Sequence, residues 1–85
     1  MKFICFHPDA YLQFIDWQEN HPENFEKVKK LISEITRDPF KGTGKPEPLK
    51  HQFKGYWSRR INQEHRIVYK VEVGAITIVS LSGHY

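Results

Sequence analysis

The second half of the sequence holds a group of acidic, basic and imidazole side chains that could perform acid–base chemistry on RNA. Glu47 stands between Pro46 and Pro48, which keep its backbone extended and limit its mobility. The candidate residues that follow it are Lys50, His51, Arg59, Arg60, Arg66 and His84, with Tyr85 at the end. If the strands of this region form a meander, many of these side chains meet on one sheet face.

Metal-independent cleavage of RNA requires three groups, and this set of residue types contains all three. A base removes the proton from the ribose 2′-hydroxyl, a cation stabilises the pentavalent phosphorane, and an acid protonates the 5′-oxygen. Arginine suits the second task because its planar guanidinium pairs with two phosphate oxygens. The residue types alone therefore indicate a basic domain that could act on RNA, without assigning the three roles.

The charge of the chain is unevenly distributed. The formal net charge is +3, yet acidic residues outnumber basic ones before residue 41. From residue 41 to residue 70 the balance reverses, and Glu47 and Glu64 are the only acids among many Lys and Arg. Segregation of this kind predicts a face that binds a polyanion. A merely solvated basic surface remains the alternative.

Each candidate residue also has an ordinary structural explanation, which the sequence leaves open. Glu47 could pair with a neighbouring lysine at the surface. Arg66 could belong to an exposed charge ladder on a strand, and His84 could be a frayed residue because chain ends are commonly disordered. Trp57 and Tyr69 fit packing in the core better than stacking on bases.

Other kinds of chemistry find less support. The five His residues and the single cysteine, Cys5, lack the spacing of metal ligands, so we expect no metal site and no cofactor. Gly42-Thr43-Gly44-Lys45 lacks the full spacing of a phosphate-binding loop and follows a helix. No serine lies in the Gly-x-Ser-x-Gly context of acyl transfer. Cys5 lies in a short apolar run, which predicts an inert core position.

The first forty residues predict a strand followed by two helices. Residues 2–7 are rich in Phe and Ile, as in a short strand. Asp9 is expected to cap a helix that runs to about residue 20. Pro22 suits the first position of a second helix, which must end before Pro39 because the residue preceding a proline avoids the α region. An apolar stripe indicates the buried side of that helix: Phe25, Val28, Leu31, Ile32 and Ile35.

From residue 40 onward the pattern changes to that of a loop followed by strands. A glycine- and proline-rich loop covers residues 41–48, and a turn is expected at Asn62-Gln63. Three strands are predicted, over residues 53–61, 65–71 and 75–82. In the middle strand one face carries Ile67, Tyr69 and Val71, and the other carries Arg66, Val68 and Lys70.

These elements predict one α+β domain over residues 1–85. Its core is an antiparallel β-sheet meander with an N-terminal strand, and a two-helix hairpin packs on one face. The face that bears Arg66 is left open to a ligand. Since no run of about 18 apolar residues occurs and the N-terminal apolar stretch is too short for a signal peptide, we expect a soluble, cytoplasmic protein without a membrane partner.

Several stretches closely resemble the YoeB/Txe family of bacterial toxins, within the wider RelE/ParE superfamily. The matching stretches are Trp17-Gln18-Glu19, Pro39-Phe40-x-Gly42-x-Gly44-Lys45-Pro46-Glu47-Pro48-Leu49-Lys50-His51, Gly55-Tyr56-Trp57-Ser58-Arg59-Arg60-Ile61, Glu64-His65-Arg66-Ile67-Val68-Tyr69 and His84-Tyr85. The resemblance implies a RelE-like microbial RNase fold. It also implies the toxin of a type II toxin–antitoxin system, a ribosome-dependent endoribonuclease that cleaves mRNA in the A site and so inhibits translation.

The resemblance also implies roles for individual residues. Glu47 matches the general base of the family, Arg66 its phosphate-stabilising cation and His84 its general acid. Lys50 and Arg60 match auxiliary positive groups that hold the scissile phosphate and its neighbours, and Tyr85 matches a residue that shapes the substrate site. His51 also matches, without a defined role, and Arg59 is a further candidate for substrate binding. The chain departs from some relatives just before its end, where Ser82-Gly83 replaces an Arg and an aromatic residue.

Partners and competing functions follow from the same observations. A basic face favours an acidic, partly disordered antitoxin segment that folds over the site, and the resemblance adds the ribosome, mRNA and a homodimer as compatible partners. The main alternative is a non-catalytic, ParE-like toxin that inhibits a protein target such as DNA gyrase. A plain RNA-binding module is the third reading, and its binding would weaken steeply with salt.

Overall fold

The computed structural model describes residues 2–83, so the predictions for His84 and Tyr85 lie outside the described residues. Its elements follow in this order: β1 (Phe3–Phe6), α1 (Pro8–Asn20), α2 (Pro22–Arg37), β2 (Glu47–Pro48), a 3-10 turn (His51–Phe53), β3 (Tyr56–Arg60), β4 (Arg66–Glu72) and β5 (Ala75–Ser80). The predicted order of one strand, two helices, a loop and a meander of three strands is confirmed, with β2 as an addition.

The two helices begin at prolines, which suits a first helical position that has no hydrogen-bond partner for an N–H. The cap of α1 is His7, whose Nδ1 accepts the Asp9 N–H at 3.3 Å, so the prediction of Asp9 as the cap is wrong. Because Pro8 occupies the first helical position, the cap falls one residue earlier. Helix α2 ends before Pro39, as predicted. None of the helices in residues 2–83 is long and apolar enough to cross a membrane.

The sheet is five-stranded, in the order β1-β5-β4-β3-β2. Strands β3, β4 and β5 form the predicted antiparallel meander, and β1 joins the far side of β5 in parallel. Strand β2 falls within the stretch expected to be a loop and pairs antiparallel with β3. It is two residues long and lies at the edge of the sheet, where Pro48 is tolerated because its missing N–H faces away from the ladder.

One face of the sheet packs against the helices, and we call the opposite one the open face. Ile67, Tyr69, Ile76 and Ile78 are fully buried in a core that they share with the apolar stripe of α2. Trp57 also packs against this core, so the core reading of Trp57 and Tyr69 is confirmed. Cys5 is exposed, which contradicts the predicted core position. In β1 it is Ile4 and Phe6 that pack inward, and the alternation of a strand turns Cys5 outward.

A β-bulge interrupts the pairing of β4 with β5. Val68 pairs with Ser80, whereas Tyr69 pairs with Ile78, so Val79 is an extra residue in β5. Beyond the bulge Leu81 is fully buried, at a spacing of three rather than two residues from Ile78. The bulge thus sets which residues at the end of β5 reach the core.

Candidate active site

A cross-strand row on the open face contains Glu47. In the register of the sheet Glu47 lies opposite Ser58, and Ser58 lies opposite Val68. Side chains that are directly opposite share a face, with Cβ atoms about 4.5–5.5 Å apart. Glu47 is exposed, while Ser58 and Val68 are buried, at 0% and 1% exposure. The carboxylate therefore stands at the sheet edge beside two small, covered side chains.

Arg66 is aimed at this row from β4. Its Nη1 donates to the Ser58 hydroxyl at 3.2 Å, so the guanidinium lies over the residue that faces Glu47. Glu47 lies on β2 and Arg66 on β4, and β3 runs between them, so their backbones are separated by two inter-strand spacings of about 4.8 Å each. Two residues predicted to share a site, Glu47 and Arg66, are thus brought together by a serine that sequence reasoning did not select.

Arg60 faces Arg66 directly across β3 and β4. Like charges in such a pair destabilise a sheet unless an anion lies between them. Neither guanidinium forms a salt bridge with a carboxylate of residues 2–83. Lys70 extends the positive charge along the same face and lies over the Tyr56 ring, 5.6 Å from its centroid. The open face near Glu47 is therefore equipped to receive a phosphate-rich ligand.

Lys50 and His51 follow β2 and are both exposed. Lys45 and His51, which have positive φ angles of 53° and 58°, flank β2 on its two sides. This conformation is uncommon for residues other than glycine and turns the chain sharply. The two lysines and the histidine therefore surround the short strand that carries Glu47, although within residues 2–83 no hydrogen bond or ion pair joins Lys50 or His51 to the row of Glu47, Ser58 and Val68.

The prediction that Arg59 binds substrate does not fit its position. The side chain is completely buried on the helix side of the sheet, opposite to the face of its neighbour Arg60. Its Nε donates to the Tyr69 hydroxyl at 3.1 Å, and its Nη1 lies 3.5 Å from Glu34 Oε1. Its remaining partners are backbone carbonyls, of Asp38 (2.6 Å), Lys41 (3.0 Å) and Thr43 (3.4 Å). A guanidinium so enclosed cannot reach a substrate, and it binds the protein's own loop instead.

We call residues 38–44 the glycine loop. Its close contacts with the buried side chains explain why Gly42 and Gly44 are glycines. Gly42 has a φ of +137°, and a Cβ there would lie 2.6 Å from Glu34 Oε1 and 2.8 Å from Arg59 Nη1. At Gly44, with φ +89°, a Cβ would lie 3.0 Å from the Arg60 carbonyl. The two glycines let the loop approach the buried ion pair closely. The carbonyl of Gly44 then accepts the Arg60 N–H at 2.7 Å, shortly before Glu47.

The electrostatics of this cluster favour a charged glutamate beside a neutral tyrosine. Hydrogen bonds from the backbone N–H and the hydroxyl of Thr43, at 2.8 and 2.9 Å, lower the pKa of the Glu34 carboxyl, and the charges of Lys30 and Arg59 act in the same direction against desolvation. Burial raises the pKa of the Tyr69 phenol, although Arg59 opposes this. The phenol therefore keeps its proton and donates it to the Pro39 carbonyl at 2.5 Å.

A second cluster holds residues 80–83, which we call the C-terminal segment. Leu81 is bound by two residues four apart on one face of α1: its N–H donates to Gln13 Oε1 at 2.6 Å, and its carbonyl accepts the Trp17 indole N–H at 2.8 Å. Gly83 donates its N–H to His65 Nδ1 at 3.0 Å. These bonds fix the backbone that leads to His84. Sequence reasoning missed all three anchoring side chains, although Trp17 and His65 lie in stretches that carry the family resemblance.

Among the described residues, His, Cys, Asp and Glu side chains form no group of three that could hold a metal ion. A cleft of about 220 Å³ lies instead between the helix turn and the β3–β4 turn. It is lined by Trp17, His21, Asn24, Asn62, Glu64 and His65, and so lies beside the anchor of the C-terminal segment and away from Glu47.

Comparison with known proteins agrees with this geometry. A family model for the YoeB-like toxin of bacterial type II toxin–antitoxin systems matches residues 6–85. The chain belongs to this family. Toxin YoeB of Mycobacterium bovis is 44% identical over 85 residues, which is 100% of both chains. The YoeB dimer from Staphylococcus aureus has a TM-score of 0.90 at 41% identity, covering 99% of this chain and 98% of that one. The YoeB-YefM complex from the same organism has a TM-score of 0.88 at 41% identity, covering 100% and 99%.

Membership of the YoeB-like family confirms the resemblance stated from the motifs, and the high TM-scores confirm the predicted fold. The chain is the toxin type of a type II toxin–antitoxin system. The full length of the Mycobacterium bovis relative is covered, including the stretches on both sides of Glu47 and Arg66. The roles of individual residues remain predictions, which the geometry above now makes specific.

Proposed function

We propose that this YoeB-like toxin is a ribosome-dependent mRNA endoribonuclease. The observation that carries the proposal is the placement of an exposed carboxylate, Glu47, opposite Ser58, while a guanidinium, Arg66, donates to the Ser58 hydroxyl from the other side. Arg60 faces Arg66 and adds a second positive charge without a carboxylate partner in residues 2–83. A phosphodiester between these groups would supply the missing negative charge.

The chemistry that we propose is a transesterification within the RNA. Glu47 removes the proton from a ribose 2′-hydroxyl, and the 2′-oxygen attacks the adjacent phosphorus. Arg66 pairs with the non-bridging oxygens as negative charge accumulates on the phosphorane. The bond from phosphorus to the 5′-oxygen then breaks, and His84 donates a proton to that oxygen. The products are one fragment with a 2′,3′-cyclic phosphate and one with a 5′-hydroxyl.

The other predicted site residues have supporting roles in this proposal. Arg60 and Lys50 neutralise the phosphates next to the scissile one, and His51 and Tyr85 shape the position of the bases. Arg59 has no direct role, because its guanidinium is buried against the glycine loop. It acts instead by fixing the chain that leads to Glu47.

The ribosome and the antitoxin enter the proposal as partners. A relative with 41% identity is solved in complex with YefM, which supports an antitoxin partner for this chain. The positive open face suits an acidic segment that covers the same groups as mRNA does. Because translating ribosomes are cytoplasmic, we expect the activity in the cytoplasm. A dimer is also compatible, since a YoeB from the same organism is solved as one.

The test is a translation reaction with purified ribosomes and a defined mRNA, in which cleavage is mapped by primer extension. Glu47→Gln and Arg66→Gln are expected to slow cleavage about 10²- to 10⁴-fold, since each removes one charge required in the transition state. His84→Gln should do the same. Fragments of the wild-type reaction should carry a 5′-hydroxyl, which a polynucleotide kinase can label directly.

Matched controls come from the helices on the other side of the sheet. Glu19→Gln in α1 and Arg37→Gln at the end of α2 change the same residue types at exposed positions and should leave cleavage unchanged. Circular dichroism verifies that every variant is folded. Wild-type cleavage rates in a folded Glu47→Gln variant would refute the assignment of the base. Inhibition of gyrase by a wild type that leaves mRNA intact would refute the proposed function itself.

A further inference from the structure

His65 joins the β3–β4 turn to the C-terminal segment. Its Nδ1 accepts the Gly83 N–H at 3.0 Å, while the next residue, Arg66, donates its backbone N–H to the Gly83 carbonyl at 3.1 Å. Both sides of the last described residue are thus held by one dipeptide. The same dipeptide carries the guanidinium that lies over Ser58. The position of Gly83 is therefore coupled directly to the position of Arg66.

The imidazole is itself held from two sides. It packs perpendicular to the Trp17 ring, with centroids 5.4 Å apart and an interplanar angle of 89°. Asn62 Oδ1 accepts the backbone N–H groups of Glu64 and His65 at 2.9 and 2.8 Å, which fixes the turn beneath the ring. Because Nδ1 accepts a hydrogen bond, the proton of the neutral ring is on Nε2. That nitrogen is 3.9 Å from the Glu64 carboxylate.

We propose that His65 is a positioning residue for the reaction, acting through Gly83 on the adjacent His84; this inference rests on the proposed function. The acceptor at Nδ1 fixes the orientation of the Gly83 peptide, and with it the point from which the His84 side chain starts. Together with the bond from the Arg66 N–H, this hydrogen bond fixes where the chain leaves Gly83 relative to Arg66. A displacement of about 1 Å in a reacting group can lower the rate about 100-fold.

Two substitutions separate the acceptor of His65 from its packing. His65→Phe keeps a ring against Trp17 but leaves the Gly83 N–H without its acceptor. His65→Asn loses the ring but retains an acceptor, because its Oδ1 is as many bonds from the backbone as Nδ1 is in histidine. If His65 acted through packing alone, the Phe variant should cleave mRNA faster than the Asn variant. A positioning role through Nδ1 predicts the opposite.

The experiment measures single-turnover cleavage of ribosome-bound mRNA over a range of toxin concentrations. We expect His65→Phe to lower the maximal rate about 10- to 100-fold, with less than about a threefold change in the half-saturating concentration. His65→Asn should recover most of the rate. His21→Phe is the matched control: His21 packs against the same indole at 5.2 Å, and its contacts within residues 2–83 do not include the C-terminal segment. Its rate should equal that of the wild type.

A second readout does not depend on cleavage. In a ¹⁵N spectrum, the Gly83 amide should exchange with solvent faster in His65→Phe than in the wild type and in His65→Asn. The inference would be overturned if the wild type, His65→Phe and His65→Asn cleave at equal rates. It would also be overturned if the rate falls as much in the Asn variant as in the Phe variant. If the wild type fails to cleave, the proposed function is lost. If Gly83 amide exchange is also unchanged in His65→Phe, the hydrogen bond from Gly83 to His65 does not hold the C-terminal segment, and the inference fails independently of the proposed function.

Discussion

The two segments that lead to the proposed base and the proposed acid are held by different kinds of bond. The glycine loop, which precedes Glu47, surrounds a buried guanidinium whose partners are Glu34, Tyr69 and three loop carbonyls. The C-terminal segment, which precedes His84, is held by the neutral side chains of Gln13, Trp17 and His65. One side of the site thus depends on charge and the other on uncharged hydrogen bonds.

This difference has consequences for how each side responds to change. Breaking a buried ion pair leaves a charge in a medium of low polarity, which is strongly unfavourable. Losing one neutral hydrogen bond leaves a single unsatisfied group, at a smaller cost in free energy. We therefore expect the glycine loop to be part of the stability of the whole domain. The C-terminal segment should be separable from it, so that the acid can be displaced while the domain stays folded.

Arg59→Leu should have the largest effect on the charged side. It removes the guanidinium at the centre of the glycine loop, leaves the loop carbonyls without this donor, and leaves the Glu34 carboxylate without its cationic partner. We expect the free energy of unfolding to fall by about 3–5 kcal/mol. Urea denaturation followed by circular dichroism measures this loss.

Arg60→Leu is the matched control for Arg59, because it changes the neighbouring residue of the same strand on the open face. Its guanidinium is exposed, and its removal also relieves the repulsion with Arg66. We expect it to alter stability by no more than about 0.5 kcal/mol. Equal losses in the two variants would contradict the central role of the buried guanidinium.

Trp17→Phe should have an intermediate effect, on the uncharged side. It removes the indole N–H that donates to the Leu81 carbonyl at 2.8 Å but keeps an aromatic ring in the core. An orphaned buried acceptor costs about 1–3 kcal/mol. Trp57→Phe serves as the reference, since the Trp57 indole packs on Phe40 and donates to none of the described residues. If both variants lose the same stability in urea, the bond to Leu81 contributes nothing.

Lowering the pH should reduce the stability contributed by the glycine loop and leave that of the C-terminal segment unchanged. This is the smallest of the expected effects. The lowered pKa of Glu34 means that its carboxylate stabilises the fold fully above its ordinary value of 4.5, and that this contribution is lost as the pH falls below 4.5 through the folded-state pKa. Glu34→Gln should therefore lose less stability than the wild type between pH 7 and pH 3. The difference between Trp17→Phe and the wild type should stay constant over that range, because neither the indole nor the carbonyl titrates.

Much of the fold was predictable because prolines and alternation mark it in the sequence. Pro22 and Pro39 bracket α2, and the period of two in β4 separates the helix side, which carries Ile67, from the open face, which carries Arg66. Strand β2 was not predictable in the same way. It is two residues long, and one of them is a proline, so its only signal is the partner strand that it meets in three dimensions.

Part of the site could be predicted from the sequence, and the main error of that prediction concerns two adjacent arginines. Arg59 and Arg60 look alike by residue type, and both were assigned to substrate. The sequence did not separate them, because a two-residue turn at Asn62-Gln63 would pair Arg59 with Arg66. The observed register instead pairs Arg60 with Arg66 and Arg59 with Ile67, and alternation then places Arg59 on the helix side. Ser58 carried no chemical signal, because a small hydroxyl residue on a strand becomes informative only when an arginine is seen to bind it.

The bulge at Val79 makes the end of the chain sensitive to residue count. Side chains alternate along a strand, so inserting or deleting one residue in β5 turns everything after it to the other side of the sheet. Leu81 would leave the core, and the peptide groups bound by α1 and His65 would move out of phase with their partners. The number of residues between the bulge and the C-terminal segment is therefore fixed by the fold, and it constrains the protein more tightly than the identity of Val79 itself.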